Sequence, residues 1–242
     1  MSALRPLVLA ACAAALFAAS TIDAAPKKKT TKATPATGTI KGVVDYKGTP
    51  PPQPKVAGSQ DPECAKLKLV DQKVVVTGGH LRDVHVRLES GTAGTHTVPA
   101  TAVVVDQNKC MYEPRVVGAL AGQKIQIRNS DPTFHNVRGT HGEHTVFNHG
   151  HPMKFPPIEH DSAGKPGEVL TLRCDIHPWM RGYAAVTDHP FFQVTGADGA
   201  FELTNVPVGS YTLEAWHPEL GLKSARVKVT KGKPAVITFT YP

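Results

Sequence analysis

The chain has 242 residues, 40% of them apolar, with 21 glycines, 21 prolines and a formal net charge of +7. The length accommodates one or two domains, and the glycine and proline content lies below that of a low-complexity chain. Lys27, Lys28, Lys29 and Lys32 supply much of the charge from one Thr-, Ala- and Pro-rich segment. That segment reads as a solvated tether, and no basic stripe with interleaved aromatics follows, so nucleic acid is excluded as a partner.

In chain order, Met1 to Arg5 precedes an apolar stretch from Leu7 to about Ala19, with small residues at Ala24 and Ala25. This is the pattern of a secretory signal peptide over residues 1–24. The stretch is too short to cross a bilayer comfortably, and nothing later approaches a transmembrane span. Leu9-Ala10-Ala11-Cys12 is similar to a bacterial lipobox, so a lipid anchor at Cys12 stands as the alternative to simple cleavage near Ala24. Residues 25–37 read as a flexible basic linker.

From Gly38 the pattern changes. Ile40 to Tyr46 reads as a strand, and the prolines from Pro50 to Pro54 cannot lie inside a sheet. Val74 to Val76 and Val84 to Leu88 read as further strands, with a turn at Gly78-Gly79 between them. Between Thr101 and Val186 the sequence predicts strands at Ala102–Val105, Val116–Leu120, Lys124–Arg128, the segment around His135, Val169–Cys174 and Tyr183–Val186. Ala121-Gly122-Gln123 reads as a hairpin connection. Short runs with frequent turns predict an antiparallel sandwich, and no sustained 3.6-residue period appears. The last block offers Phe192–Thr195, Phe201–Leu203, Tyr211–Trp216, Ala225–Val229 and Val236–Thr240. Asp198-Gly199 between apolar runs is a strong hairpin signal.

The chemistry concentrates in Cys174-Asp175-Ile176-His177-Pro178-Trp179-Met180, just past a predicted strand. A thiol, an imidazole and a thioether recur every three residues, and His135 supplies a second imidazole upstream. One Cys, two His and one Met form the ligand set of a mononuclear copper site, because soft sulfur suits copper(I) while imidazole suits copper(II). The competing readings are a buried structural thiol beside a loop histidine, or structural zinc, which seldom takes a thioether. His141, His144, His149 and His151, with His160 close by, read as a polar loop whose rings no element aligns. Its functional alternative is a second, labile metal site.

With Cys12 assigned to the signal and Cys174 to the metal, Cys64 and Cys110 remain, and in an exported protein they are expected to form a disulfide. The alternative is two separate buried thiols. The chain lacks Ser-His-Asp order, HExxH, a phosphate loop and CxxCH, so it is not expected to be an enzyme.

Cys-x-x-His-x-x-Met with an upstream His-Asn-Val resembles the cupredoxins, and the short loop resembles that of amicyanin and related blue copper proteins. The resemblance implies copper ligands His135, Cys174, His177 and Met180, with Asn136 tying the two ligand loops together by hydrogen bonds. Asp198-Gly199-x-Phe201 followed by Val206-Pro207-x-Gly209-x-Tyr211 resembles the carboxypeptidase regulatory-like modules, a transthyretin-like β-sandwich. The arrangement as a whole resembles exported bacterial proteins often labelled methylamine-utilisation-like. These resemblances imply an all-β chain: a cupredoxin-like Greek-key β-sandwich over 98–188, and a second sandwich split between 38–97 and 189–242, or else two sandwiches in series. They further imply a periplasmic electron carrier with one copper ion and a protein redox partner. If the loop is exposed, Pro178, Trp179 and Phe155 make an apolar docking patch beside a solvent-facing edge of His177; the alternative is that Trp179 packs over the site. The alternatives are a copper-handling protein using the His-rich loop, or a recognition module with a structural metal.

Overall fold

A computed structural model describes residues 36–56, 60–91, 96–161 and 164–242. The signal segment 1–24, the alternative anchor at Cys12 and all but the end of the linker lie outside the described residues. Among the described residues no helix is long and apolar enough to cross a membrane.

Short runs of alternating apolar and polar residues, punctuated by Gly, Pro and Asp, form strands. In chain order they are β1 (Thr37–Tyr46), β2 (Val76–Thr77), β3 (His80–Leu81), β4 (His85–Leu88), β5 (Val103–Asn108), β6 (Met111–Glu113), β7 (Val116–Leu120), β8 (Ile125–Asn129) and β9 (His135–His141). They continue as β10 (His144–His151), β11 (Ile158–His160), β12 (Val169–Arg173), β13 (Arg181–Thr187), β14 (Phe192–Val194), β15 (Ala200–Pro207), β16 (Gly209–His217), β17 (Gly221–Val229) and β18 (Ala235–Tyr241). One single-turn helix, α1 (Pro62–Ala65), starts at an Asp61 cap that accepts from the Glu63 and Cys64 amides, with Pro62 where a missing N–H costs nothing.

The fold is all-β, and the described residues form four sheets. In one, β15, β1, β3 and β2 lie in that order with β18 also on β1; a second runs β14-β4-β16-β17. These two share a core that includes Ile40, Val44, Leu88, Phe201, Leu213 and Tyr241. The third sheet runs β10-β9-β12-β13-β7 and the fourth β11-β8-β5-β6. They close on Val105, Ile125, Ile127, Leu170 and Leu172, and Cys174 and Met180 belong to that same core. Each fully buried Leu or Ile there contributes roughly 2 kcal/mol. Strands β1–β4 and β14–β18 therefore build one sandwich, and the chain between them builds the other.

The two sandwiches meet along β7. A Cβ at Gly118 would lie 2.3 Å from the Phe192 ring and 2.8 Å from His85 Nε2, so only glycine allows this approach. Arg87 crosses the same contact, donating from Nη1 to the Val186 carbonyl at 3.1 Å while pairing with Glu214 at 2.9 Å.

Several sequence expectations need correction. Three of the four sheets are mixed rather than antiparallel, with β1–β18, β5–β8 and β7–β13 as parallel pairs, while β14-β4-β16-β17 is antiparallel throughout. Ala121-Gly122-Gln123 does not close a hairpin, because β7 and β8 lie in different sheets. The Asp198-Gly199 turn likewise carries the chain from β14 to β15, which belong to different sheets, although Asp198 does accept the Ala200 amide as turn chemistry requires. The histidine-rich stretch is not a loop. It forms strand β10, paired antiparallel with β9 so that His151 stands opposite His135.

Candidate metal centre

Strand β9 opens on His135, and the turn before it is pinned by Asp131. One Asp131 oxygen accepts the Lys109 amide at 2.6 Å; the other accepts the Cys110 amide at 2.8 Å and lies 2.9 Å from His135 Nε2. A carboxylate accepts, so Nε2 carries the proton and the Nδ1 lone pair points the other way. That Nδ1 lies 2.9 Å from His177 Nδ1, and both imidazoles are buried.

Cys174 follows the last residue of β12, buried in the core. The seven residues from Cys174 to Met180 form a loop tied at both ends: Met180 N donates to His177 O at 2.9 Å, and Cys174 N to Met180 O at 3.4 Å. The Cys174 sulfur is 3.6 Å from His177 Nδ1 and 3.9 Å from His135 Nδ1. Asn136 joins the two ligand-bearing segments. Its Oδ1 accepts the Asp175 amide at 2.6 Å, and its Nδ2 donates to the side chains of Asp175 and Asn148, both at 2.9 Å. Met180 is 0% exposed and packs in the core that contains Cys174.

His135, Cys174 and His177 thus present three donor atoms within 4.8 Å of one another. Two other donor groups adjoin them, Asp61-Cys64-His177 and Cys110-Asp131-His135. Neither offers a thiolate, because Cys64 and Cys110 are joined in a disulfide across a sequence separation of 46. Among the described residues no such group includes His141, His144, His149, His151 or His160. Those rings have other roles: His149 and His160 stack on Phe147 at 5.7 and 4.2 Å, and His151 Nδ1 meets Gln107 Oε1 at 2.8 Å.

The electrostatics favour a cation between the donors. Burial alone would push the His135 pKa down, but Asp131 and Cys174 outweigh it and hold it at about 9. Burial raises the Cys174 thiol, yet the His135 ring and the backbone amides of Asn136, His177 and Ile176 bring it below its ordinary value. Burial, reinforced by the neighbouring His135, lowers His177, which keeps its ring neutral with a lone pair to give. A proton meets this demand for positive charge, and so does a metal ion.

The outer edge of His177 does not face solvent, contrary to the sequence expectation. The ring is 1% exposed, and its Nε2 lies 3.6 Å from both Asp61 Oδ2 and Cys64 Sγ. The segment carrying α1 folds over the site and is bonded covalently to Cys110. Trp179 closes the remaining side, its ring centroid 5.2 Å from that of His177 and its Nε1 donating to Cys110 O at 3.0 Å. Trp179 is therefore a packing group over His177, and Phe155 stands edge-on to His151 instead. Sequence reasoning gave no role to Asp131 or Asp61. Asp131 sits four residues before His135, a spacing with no special meaning in a turn; Asp61 before Pro62 carries a helix-cap signal, but nothing local ties it to residue 177.

No curated protein matches the chain. A family model described as "ER membrane protein complex subunit 7, beta-sandwich domain" matches residues 180–241. Among solved structures, a purple cupredoxin from Nitrosopumilus maritimus is 20% identical over 35% of this chain and 99% of its own, with a TM-score of 0.31. A reduced amicyanin variant is 24% identical over 42% of this chain and 97% of its own, with a TM-score of 0.32. A Cu-containing nitrite reductase from Thermus scotoductus is 19% identical over 42% of this chain and 26% of its own, with a TM-score of 0.31. The assignment of the centre rests on its own geometry.

Proposed function

We propose that this protein is an exported, periplasmic electron carrier with one copper ion held by His135, Cys174 and His177, and with Met180 as the weak fourth ligand. The observation that carries this is the convergence of two imidazole Nδ1 atoms and one thiol on a single buried point. Metal bonds of about 2.0 Å to nitrogen and 2.3 Å to sulfur at trigonal angles separate the donors by about 3.5 Å (N to N) and 3.7 Å (N to S). The two sulfur–nitrogen separations, 3.6 and 3.9 Å, bracket the value for a bound first-row metal, while the two nitrogens at 2.9 Å stand at hydrogen-bonding distance, closer than two bound imidazoles would be by about 0.6 Å. Two imidazoles, one thiolate and a thioether next along the loop favour copper over zinc.

Bound copper supplies a one-electron couple. The chain's own residues keep the geometry constant while that couple turns over. Asp131 fixes the His135 tautomer, Asn136 locks the ligand loop to β9, and the Asp61–Cys64 segment with Trp179 excludes water from His177. Among the described residues the three donors are all buried, which favours electron transfer to a protein partner over bond-making chemistry. The disulfide and the apolar N-terminal stretch favour export.

The test is titration of the purified chain with copper(II), followed by visible absorption and voltammetry. One equivalent should produce an intense thiolate-to-copper charge-transfer band and a reversible one-electron wave, and Cys174→Ser should remove the band. Copper that binds without the band, or a redox-silent site, would overturn the reading.

A further inference from the structure

A cavity of about 460 Å³ opens on the other side of Trp179, between the metal loop and the ribbon formed by residues 54–56 and 70–73. The ribbon is held in place by backbone bonds from Val56 N to Leu69 O (3.0 Å) and from Asp71 N to Pro54 O (2.9 Å), so the space is formed in advance. Its apolar lining comes from Val56, Val70, Met111 and Trp179. Its cationic lining comes from Lys55, Lys73, Arg115 and Arg181, against one carboxylate, Asp71, which is already paired with Lys73 at 3.2 Å. No carboxylate among the described residues pairs with Lys55 or Arg181. Arg115 is 95% buried and gives Nη2 to Glu219 at 3.0 Å, while its Nη1 has no hydrogen-bond partner and only a distant Asp83 oxygen at 3.9 Å. A volume of this size lies within the range of small-molecule sites and admits an aromatic ring. Two cations without a carboxylate partner, Lys55 and Arg181, beside an aromatic and aliphatic floor suit one that carries a negative charge.

We infer that this cavity binds a small organic anion, an aromatic carboxylate, with its ring against Trp179 and its carboxylate toward Arg181 and Lys55. The site does not depend on the copper reading: none of its lining residues supplies a donor atom, although Pro178, Trp179 and Arg181 belong to or flank the metal loop. Failure of copper binding would leave this inference standing, and the reverse also holds.

Calorimetric titration of the full chain, copper-loaded and copper-free, with benzoate, benzamide and inorganic phosphate tests it. Benzoate should bind, and benzamide, its neutral isostere, should bind about tenfold or more weakly, the loss expected for one charge-assisted bond in a partly buried site. Arg181→Gln and Lys55→Gln, at positions outside the core, should each weaken benzoate several-fold and leave the visible copper band unchanged. Equal binding of benzoate and benzamide, phosphate binding as tightly as benzoate, no heat with any probe at millimolar concentration, or variants that bind like the parent would each overturn it.

Discussion

His85 and His217 in one sandwich and His135 in the other are buried in opposite ways. In the one built from β1–β4 and β14–β18, His85 and His217 are buried with Nε2 atoms that have no hydrogen-bond partner, and burial drives both pKa values down to about 3. In the other, His135 has both ring nitrogens engaged, and carboxylate and sulfur neighbours lift its pKa to about 9. The first pair are neutral packing groups. The second is poised beside a thiol around a shared point. A buried imidazole therefore says little by itself; the groups that meet its ring nitrogens set His135 apart from His85 and His217.

The sharpest break of this comparison is a pair of variants. His135→Ala should abolish the copper charge-transfer band, while His85→Ala should leave its position and intensity intact despite lower stability, as read by visible absorption and thermal melting. Next in size is the disulfide. Closing a loop of this length lowers unfolded-chain entropy by about 4 kcal/mol, so the double variant Cys64→Ala with Cys110→Ala should lose stability of that order in denaturant unfolding. It should also free the cover from His177.

The pH dependence is smaller. A histidine with its folded pKa depressed binds fewer protons in the folded than in the unfolded chain, so stability falls as pH drops from 6.5 toward 3. By pH 5 each such group costs about 2 kcal/mol. His85→Asn should therefore flatten the fall in stability between pH 7 and pH 5 by about that amount, even if it is less stable at both. A parallel curve would show that the His85 ring is already protonated in the fold. The smallest effect belongs to the exposed end of β10: His144→Ala should change neither copper stoichiometry nor the visible band.

Most of the proposed donors could be read in the primary structure, because Cys174, His177 and Met180 lie within one loop and their chemistry is distinctive. His135 was also visible, through the His-Asn segment that precedes a strand pattern. The surroundings of the site were not. Asp131 and Asp61 act through space, on residues reached only after the chain has turned, and no short-range signal announces such contacts. The covering of His177 was hidden for the same reason: α1 approaches from a segment 113 residues away in the chain.

Strand content and the proposed donor residues were legible in the sequence itself, because period-two alternation and the ligand preferences of sulfur and nitrogen are local properties. Strand partnership was decided only in the tertiary structure. Alternation tells which side chains face inward but not which strand lies alongside, so the Asp198-Gly199 turn could join two sheets instead of closing one hairpin, and β10 could form from a stretch that reads as loop. The sealed outer face of His177 belongs to that second class, since it exists only once distant backbone segments have packed together.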